Sequence, residues 1–275
     1  SLEIAYTSTI AGELLIKNNL FESSSLHTVG INITSNVAQR IQILIENNTI
    51  RNMSYGILIS IAYAMNDCVL SKNGICHADY GIYINNTHGN VEINDNTLCK
   101  SETAIYVHNS SDIIITRNII MQNTRGIYLK SAKDIIIYEN CFLFNALQAY
   151  DDQANHWNYS KIGNYWSDYL GIDINGDDIL DAPYVIDENS IDFYPLMYYK
   201  SFPDLNSPVL KVYSNITNNT ITNADSILIQ WNVTDEFFRF LGIYINGTLI
   251  QGSVSASGMV IISFKNYEEY NVTRG

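Results

Sequence analysis

Three groups of residues in this 275-residue chain have types and spacing that could do chemistry. The first is the run Asp173-Ile174-Asn175-Gly176-Asp177-Asp178-Ile179-Leu180-Asp181. Side-chain oxygens of Asp173, Asn175, Asp177 and Asp181, helped by the Ile179 carbonyl, recur around a glycine-centred turn and can converge on one hard cation. The spacing predicts a structural calcium, although the bidentate glutamate that closes an EF-hand loop is missing. The same residues also form Asx turns without any metal, and both readings stand. The second group is Tyr83, Tyr106, Tyr128 and Tyr150, spaced 23, 22 and 22 residues apart. Rings that recur at one period can form an exposed aromatic strip on which the apolar C–H faces of sugars stack. The competing reading is a tyrosine ladder that only stabilises a sheet.

The third group is acidic. A glycosidase or lyase needs two carboxylates facing one bond, or a base beside calcium. Asp151 and Asp152 are the candidates, with Asp112, Asp134 and Glu139 at related positions in the repeat. Neighbours on a strand point to opposite faces, so Asp151 and Asp152 are not a pair by themselves, and a role in a turn competes with catalysis. Arg117, Arg125 and Lys130 make no lyase constellation. His27, His77, His88, His108 and His156 are scattered without copper-site spacing. Four cysteines lack zinc-site spacing, and Cys76 and Cys99 share one slot of the repeat, where they stack or form a disulfide.

What must position these groups is a repeat. The pattern apolar-x-apolar-x-x-Asn-x-apolar occurs at Ile43–Ile50, Val91–Leu98, Ile113–Ile120 and Ile135–Phe142, with weaker copies around Asn19 and Asn73. Eight residues after the Asn comes a second block: Gly56-Ile57-Leu58-Ile59, Gly81-Ile82-Tyr83-Ile84, Ala104-Ile105-Tyr106-Val107 and Gly126-Ile127-Tyr128-Leu129. Period-2 alternation marks short strands with one buried face, and Gly or Asn marks the bends between them. Such strands in one register wind as coils that stack in parallel. The recurrent Asn then forms a hydrogen-bonded ladder from coil to coil. The fold class is therefore all-β: a right-handed parallel β-helix of about six coils over residues 1–150.

These coils resemble the parallel β-helix repeats of NosD-like proteins. The segment after them strengthens the resemblance: Ala149-Tyr150-Asp151-Asp152, Asn155-His156-Trp157, Gly163-Asn164-Tyr165-Trp166-Ser167-Asp168-Tyr169, Asp181-Ala182-Pro183-Tyr184-Val185-Ile186-Asp187 and Asp192-Phe193-Tyr194-Pro195-Leu196. It covers about residues 14–200 and implies an exported β-helix closed by an Asp- and aromatic-rich cap over 151–200. It also implies either copper association or carbohydrate binding and sugar hydrolysis. Of these, copper is the one the histidine pattern disfavours.

Composition agrees with this class. The chain has 41 Ile, 33 Asn and 20 Tyr, strand and turn formers, and its net charge of −13 argues against nucleic-acid backbones as partners. No apolar run reaches the ~20 residues of a membrane helix. Both ends read as cut, as in a fragment of a longer chain. Sequons stand at Asn32, Asn47, Asn52, Asn85, Asn109, Asn158, Asn215, Asn218, Asn232, Asn246 and Asn271, about twice the number expected by chance, which points to an exported glycoprotein. After the Ser201–Pro208 linker the period changes. Alternating strands near 209–213, 227–234, 243–245 and 260–264, an Asn246-Gly247 hairpin turn and Trp231 predict an incomplete immunoglobulin-like sandwich over 207–275. The functional expectation is a surface protein that binds a polysaccharide or other cell-surface glycan, or serves adhesion or structure. A polysaccharide lyase or glycosidase is the alternative.

Overall fold

A computed structural model of the chain describes residues 1–7, 11–24, 28–36, 40–61 and 67–197. Beyond these it describes the backbone of strands Val209–Ser214, Ser226–Thr234, Leu241–Ile245, Thr248–Ser253 and Ser257–Ser263. The chain divides into two compact units, Ser1–Lys200 and Ser201–Gly275.

The first unit is a parallel β-solenoid of about six turns, and the described residues contain no helix. Each coil presents three faces. The first face is a six-stranded parallel sheet made of Ala11–Lys17, Arg40–Glu46, Asp67–Ser71, His88–Asn94, Ser111–Thr116 and Lys133–Tyr138. The second runs through Leu20–Glu22, Thr97–Cys99, Ile119–Met121, Cys141–Leu143 and Tyr165–Trp166. The third carries Leu2–Tyr6, Val29–Ser35, Thr103–His108, Arg125–Lys130 and Leu147–Asp151. Second and third faces form one twelve-stranded sheet, because the long strands Thr49–Ile61 and Gly74–Asn85 turn the corner between them.

Register explains the isoleucine excess. Ile31, Ile57, Ile82, Ile105 and Ile127 are stacked partners on the third face, as are Ile43, Cys68, Val91, Ile113 and Ile135 on the first. All are buried, and each fully buried isoleucine contributes roughly 2–3 kcal/mol. β-Branched side chains suit such columns because their restricted rotamers pack against an identical neighbour one strand away. At Gly56, on the corner entering the third face, the coils approach too closely for a side chain, although the same slot holds alanine at Ala104. A Cβ on Gly56 would lie 2.5 Å from the Gly81 carbonyl oxygen and 2.7 Å from Ile75 Cγ2.

The corners are made by residues in the left-handed region. Asn18, Asn47, Lys72, Asp95, Arg117 and Glu139 have φ between 54° and 59° and stand immediately before successive ladder asparagines. For non-glycine residues this costs about 1 kcal/mol each. Hydrogen bonds to the next coil offset it, as where the Lys72 and Asp95 amides donate to the Asn94 and Thr116 carbonyls. The ladder itself has seven rungs: Asn19, Asn48, Asn73, Asn96, Asn118, Asn140 and Asn164. Each rung except the last donates its backbone N–H and Nδ2 to the Oδ1 of the following one at 2.9–3.1 Å.

The second unit has a three-stranded antiparallel sheet ordered Val209–Ser214, Ser226–Thr234, Ser257–Ser263, and an antiparallel pair Leu241–Ile245 with Thr248–Ser253. Strands therefore stand where alternation places them. Asn246 and Gly247 lie outside the described residues, as do the Trp231 side chain and the facing of the two sheets that would define an immunoglobulin-like sandwich.

Candidate functional site

The tyrosines come together on the third face. Tyr83, Tyr106 and Tyr128 are register partners, and Tyr128 pairs with Tyr150. Ring centroids lie 5.1 Å apart for Tyr83–Tyr106, 5.4 Å for Tyr106–Tyr128 and 4.4 Å for Tyr128–Tyr150. Two further rings that repeat spacing misses, Tyr55 and Tyr80, stack on each other at 5.2 Å, and Tyr80 meets Tyr83 edge-on at 5.3 Å. They stand just before Gly56 and Gly81, at the corner, so the alternation that marks the other four does not extend to them. The strip holds six rings, half-buried except for the exposed Tyr150. Burial, followed by neighbouring phenols, raises the pKa of Tyr83 and Tyr106 above the usual tyrosine value, while Tyr128 is the main cause at Tyr150. The face therefore offers phenol hydroxyls beside apolar rings.

A polar rail runs beside the strip, two residues after each tyrosine. His108 is the register partner of Asn85 and of Lys130. The His108 Nδ1 lies 2.9 Å from Asn85 Oδ1, and its ring stacks on Tyr106 at 6.2 Å. On the other side Arg125 stands over Tyr128, 5.6 Å from its centroid, and pairs with Glu102 at 3.5 Å.

The acidic candidates serve the cap. Asp151 is buried, and its carboxylate accepts from the Gln153 and Asn155 amides, Asn155 Nδ2, Trp157 Nε1 and Ser190 Oγ at 2.7–3.1 Å. Asp152 is exposed and accepts from the Ser131 amide at 2.7 Å. The two carboxylates thus diverge. A third carboxylate that local spacing does not reveal, Asp192, terminates the asparagine ladder. It accepts from the Asn164 amide at 2.7 Å, Asn164 Nδ2 at 3.3 Å, Trp166 Nε1 at 2.9 Å and the Tyr194 amide at 3.0 Å. Burial pushes its pKa up to about 6 against the pull of those donors. Above it the core closes on aromatics, with Phe142, Trp166 and Tyr184 stacked at 4.2 and 4.0 Å.

The loop 173–181 closes on itself. Asp173 accepts from the amides of Gly176, Asp177 and Asp178, Asp177 accepts from the Ile179 amide and Asn175 Nδ2, and Asp181 accepts from the Ile174 amide. Gly176 and Asp178 take positive φ of 75° and 69°. Ile179 bridges Leu196, which anchors the loop to the cap.

Cys76 and Cys99, direct register partners on adjacent coils, form a disulfide, with Cα atoms 4.6 Å apart. Cys68 and Cys141 are buried outside the disulfide, and burial pushes the Cys68 thiol up to about 12. Of the sequon asparagines, Asn47, Asn52 and Asn109 are exposed at corners and Asn32, Asn85 and Asn158 are half-buried. The side chains of Asn215, Asn218, Asn232, Asn246 and Asn271 lie outside the described residues.

A three-faced parallel coil with an asparagine ladder, a tyrosine face and an aromatic cap defines a β-solenoid protein of the parallel β-helix class. The chain belongs to the NosD family: the family model described as periplasmic copper-binding protein (NosD) matches residues 5–171. No curated protein and no solved structure matches it. Among the described residues, which do not include His27, the donor set does not fit the copper of the family description. Among the described residues no three His, Cys, Asp or Glu side chains group to hold a metal. His77 stands at a corner, His88 beside Ser111, His108 on the third face and His156 in the cap. Two of the four sulfurs are locked in the disulfide. Among the described residues no helix is long and apolar enough to cross a membrane.

Proposed function

We propose that this chain is an exported protein that binds a glycan along its third face without cleaving it. The observation that supports this reading is the continuous strip of six tyrosines, stacked or edge-on to one another, half-buried except for the exposed Tyr150, and flanked by hydrogen-bonding side chains. Sugars present apolar C–H faces to such rings and hydroxyls to such neighbours, and tyrosine supplies both kinds of contact at low entropic cost. The Cys76–Cys99 disulfide suits an oxidising compartment, as does a family described as periplasmic. A structural calcium in the 173–181 loop belongs to the same reading. It is supported by the Asp-x-Asn-x-Asp spacing and by the exposure of Asn175, Asp177 and Asp181.

A polysaccharide panel scored both for retention and for new reducing or unsaturated ends tests the proposal. Retention without new ends is expected, and Tyr106→Ala with Tyr128→Ala reduces it about tenfold or more, as for aromatic hot spots in general. New ends would move the assignment to a lyase or glycosidase. Retention indifferent to both substitutions would leave the tyrosines as a sheet-stabilising ladder.

A further inference from the structure

The tyrosine strip is chemically graded along its length, and the gradient bears on which sugars it takes. Two residues beyond each column tyrosine, the outward rail reads Asn85, His108, Lys130 and Asp152 in successive coils. On the opposite side the positions in register with Tyr80 are Thr103, which is buried, and then Arg125. Tyr128 is therefore bracketed by two cations, Arg125 over its ring at 5.6 Å and Lys130 two residues on, with the imidazole of His108 one coil away. The Arg125 side chain is 41% exposed alongside its contact with Glu102. Lys130 is exposed. The acidic groups near this patch are Glu102, paired with Arg125, and Asp152, which receives the Ser131 amide and acts on both Tyr106 and Tyr150. Asp187 acts on Tyr150 at the cap end. In a chain of net charge −13, two basic side chains are thus collected around one ring of the one aromatic strip among the described residues.

From this bracketing we infer that the third face selects anionic glycans, seating a carboxylate- or sulfate-bearing sugar on Tyr106 and Tyr128 between Arg125 and Lys130. The inference rests on the glycan reading and deepens it. Planar guanidinium matches a carboxylate or sulfate edge-on, and lysine supplies a point charge from the other side. The long-range repulsion of an acidic chain does not prevent this. Charges more than about 8 Å apart are largely screened at physiological salt, so contact pairs decide the outcome. Asp152 and Asp187 oppose an anion at the Tyr150 end, so the glycan chain extends from the bracketed ring toward Tyr83, Tyr80 and Tyr55, where the rail residue is the neutral Asn85.

The test uses probe pairs that differ in charge alone: a polyuronate against its methyl ester, and dextran sulfate against dextran. The full chain should bind the charged member of at least one pair more tightly, and which pair responds distinguishes carboxylate from sulfate. That preference should shrink as salt is raised. Lys130→Gln should weaken binding of the charged probe about threefold, within the range of an exposed ion pair, and Lys130→Glu, which replaces attraction with repulsion, about tenfold. Both should leave the neutral member unchanged. Lys72→Gln, the same charge change on an exposed corner beside the first face, should do nothing. Equal binding of charged and neutral members, or equal effects of Lys130→Gln and Lys72→Gln, overturns the selectivity while glycan binding stands. Charged binding that depends on Lys130 but not on Tyr106 and Tyr128 overturns the stacking reading instead. Failure of every probe to bind overturns both.

Discussion

Replacing Asn96 with alanine tests the asparagine ladder in the middle of its stack. Asn96 is fully buried in the middle of the stack. Its Nδ2 donates to the carbonyls of Leu70 and Asn94 at 2.8 and 2.9 Å and to Asn118 Oδ1 at 3.0 Å, and its Oδ1 receives the Asn73 amide and Nδ2 at 2.9 and 3.0 Å. Alanine removes all five bonds. Some partners keep others: Asn73 Nδ2 still reaches the Ile45 carbonyl, and Asn118 Oδ1 still accepts the backbone amide of residue 96. The Asn73 backbone amide loses the acceptor that the ladder provides. An orphaned buried donor costs about 1–3 kcal/mol, and the further lost bonds contribute about 1 kcal/mol each where their partners find no water. The expected destabilisation is therefore about 3–5 kcal/mol. Asn96→Asp should be at least as harmful, because a carboxylate cannot donate to two carbonyls and brings a buried charge. Asn19→Ala is the internal comparison: the same ladder position in the first coil, but exposed, with its side chain donating to the Lys17 carbonyl and Asn48 Oδ1. It should cost about 1 kcal/mol or less, and Asn90→Ala, which loses one exposed contact to Asp67 at 3.3 Å, should stay within about 0.5 kcal/mol. Urea unfolding followed by circular dichroism gives the ranking. Amide exchange locates the loss, which in a stacked repeat should concentrate at the coils on either side of residue 96. An Asn96→Ala cost no larger than that of Asn19→Ala would refute the claim that the ladder holds the coils together.

Three further outcomes follow from the cap and the crosslink. Burial raises the Asp192 pKa to about 6 from an unfolded value near 3.9, so its stabilising contribution is complete below about pH 4 and lost as pH rises through about 6. About two pKa units correspond to roughly 3 kcal/mol, so wild type should gain on Asp192→Asn between pH 7 and 4.5 in parallel melts, and a constant difference refutes the assignment. The Cys76–Cys99 bridge closes a sequence separation of 23 residues, worth about 3 kcal/mol, so reductant or Cys76→Ser with Cys99→Ser should lower the melting temperature by roughly 6–12 °C. Calcium should raise the melting temperature of wild type but not of Asp173→Ala with Asp177→Ala, and an unshifted wild type would leave the loop as Asx turns alone.

Much of the solenoid could be read because its forces repeat. A column such as Ile31, Ile57, Ile82, Ile105 and Ile127 is one packing problem solved five times, so its residues recur at the coil period. The same holds for Asn48, Asn73, Asn96, Asn118 and Asn140. The seventh rung, Asn164, stood inside the motif Gly163-Asn164-Tyr165-Trp166, which was legible only as a family signature because the apolar alternation around it has ended. Corners were harder to read. Lys72, Arg117 and Glu139 adopt left-handed backbone with no Gly or Asn to announce it, since stacking onto the neighbouring coil imposes the conformation. The site was half legible. Four tyrosines follow the coil period, but Tyr55 and Tyr80 join them only because the corner turns their rings onto Tyr83. The Asp192 contact with Asn164 spans 28 residues of non-repeating chain, for which spacing carries no signal.

The acidic cap can be understood from the direction of the stack. Every ladder rung donates toward the following coil, so the final coil is left with donors and no coil to receive them. A further asparagine would accept them but add an Nδ2 with the same need, whereas a carboxylate accepts without donating. Asp192 occupies that position for the asparagine ladder. At another corner the amides of Asn86 and Asn109 donate to the His108 and Lys130 carbonyls one coil on, and where the next coil departs, the Ser131 amide meets the Asp152 carboxylate instead. Asp151 does the same inside the cap, taking the Trp157 indole, the Asn155 amide and the Ser190 hydroxyl together. Asp151 and Asp152, the pair that first suggested hydrolysis, accept hydrogen bonds as terminators of a one-directional donor chain. The outward rails, where the tyrosines, Arg125 and Lys130 are held in fixed spacing, stand on the same coils that end at those carboxylates.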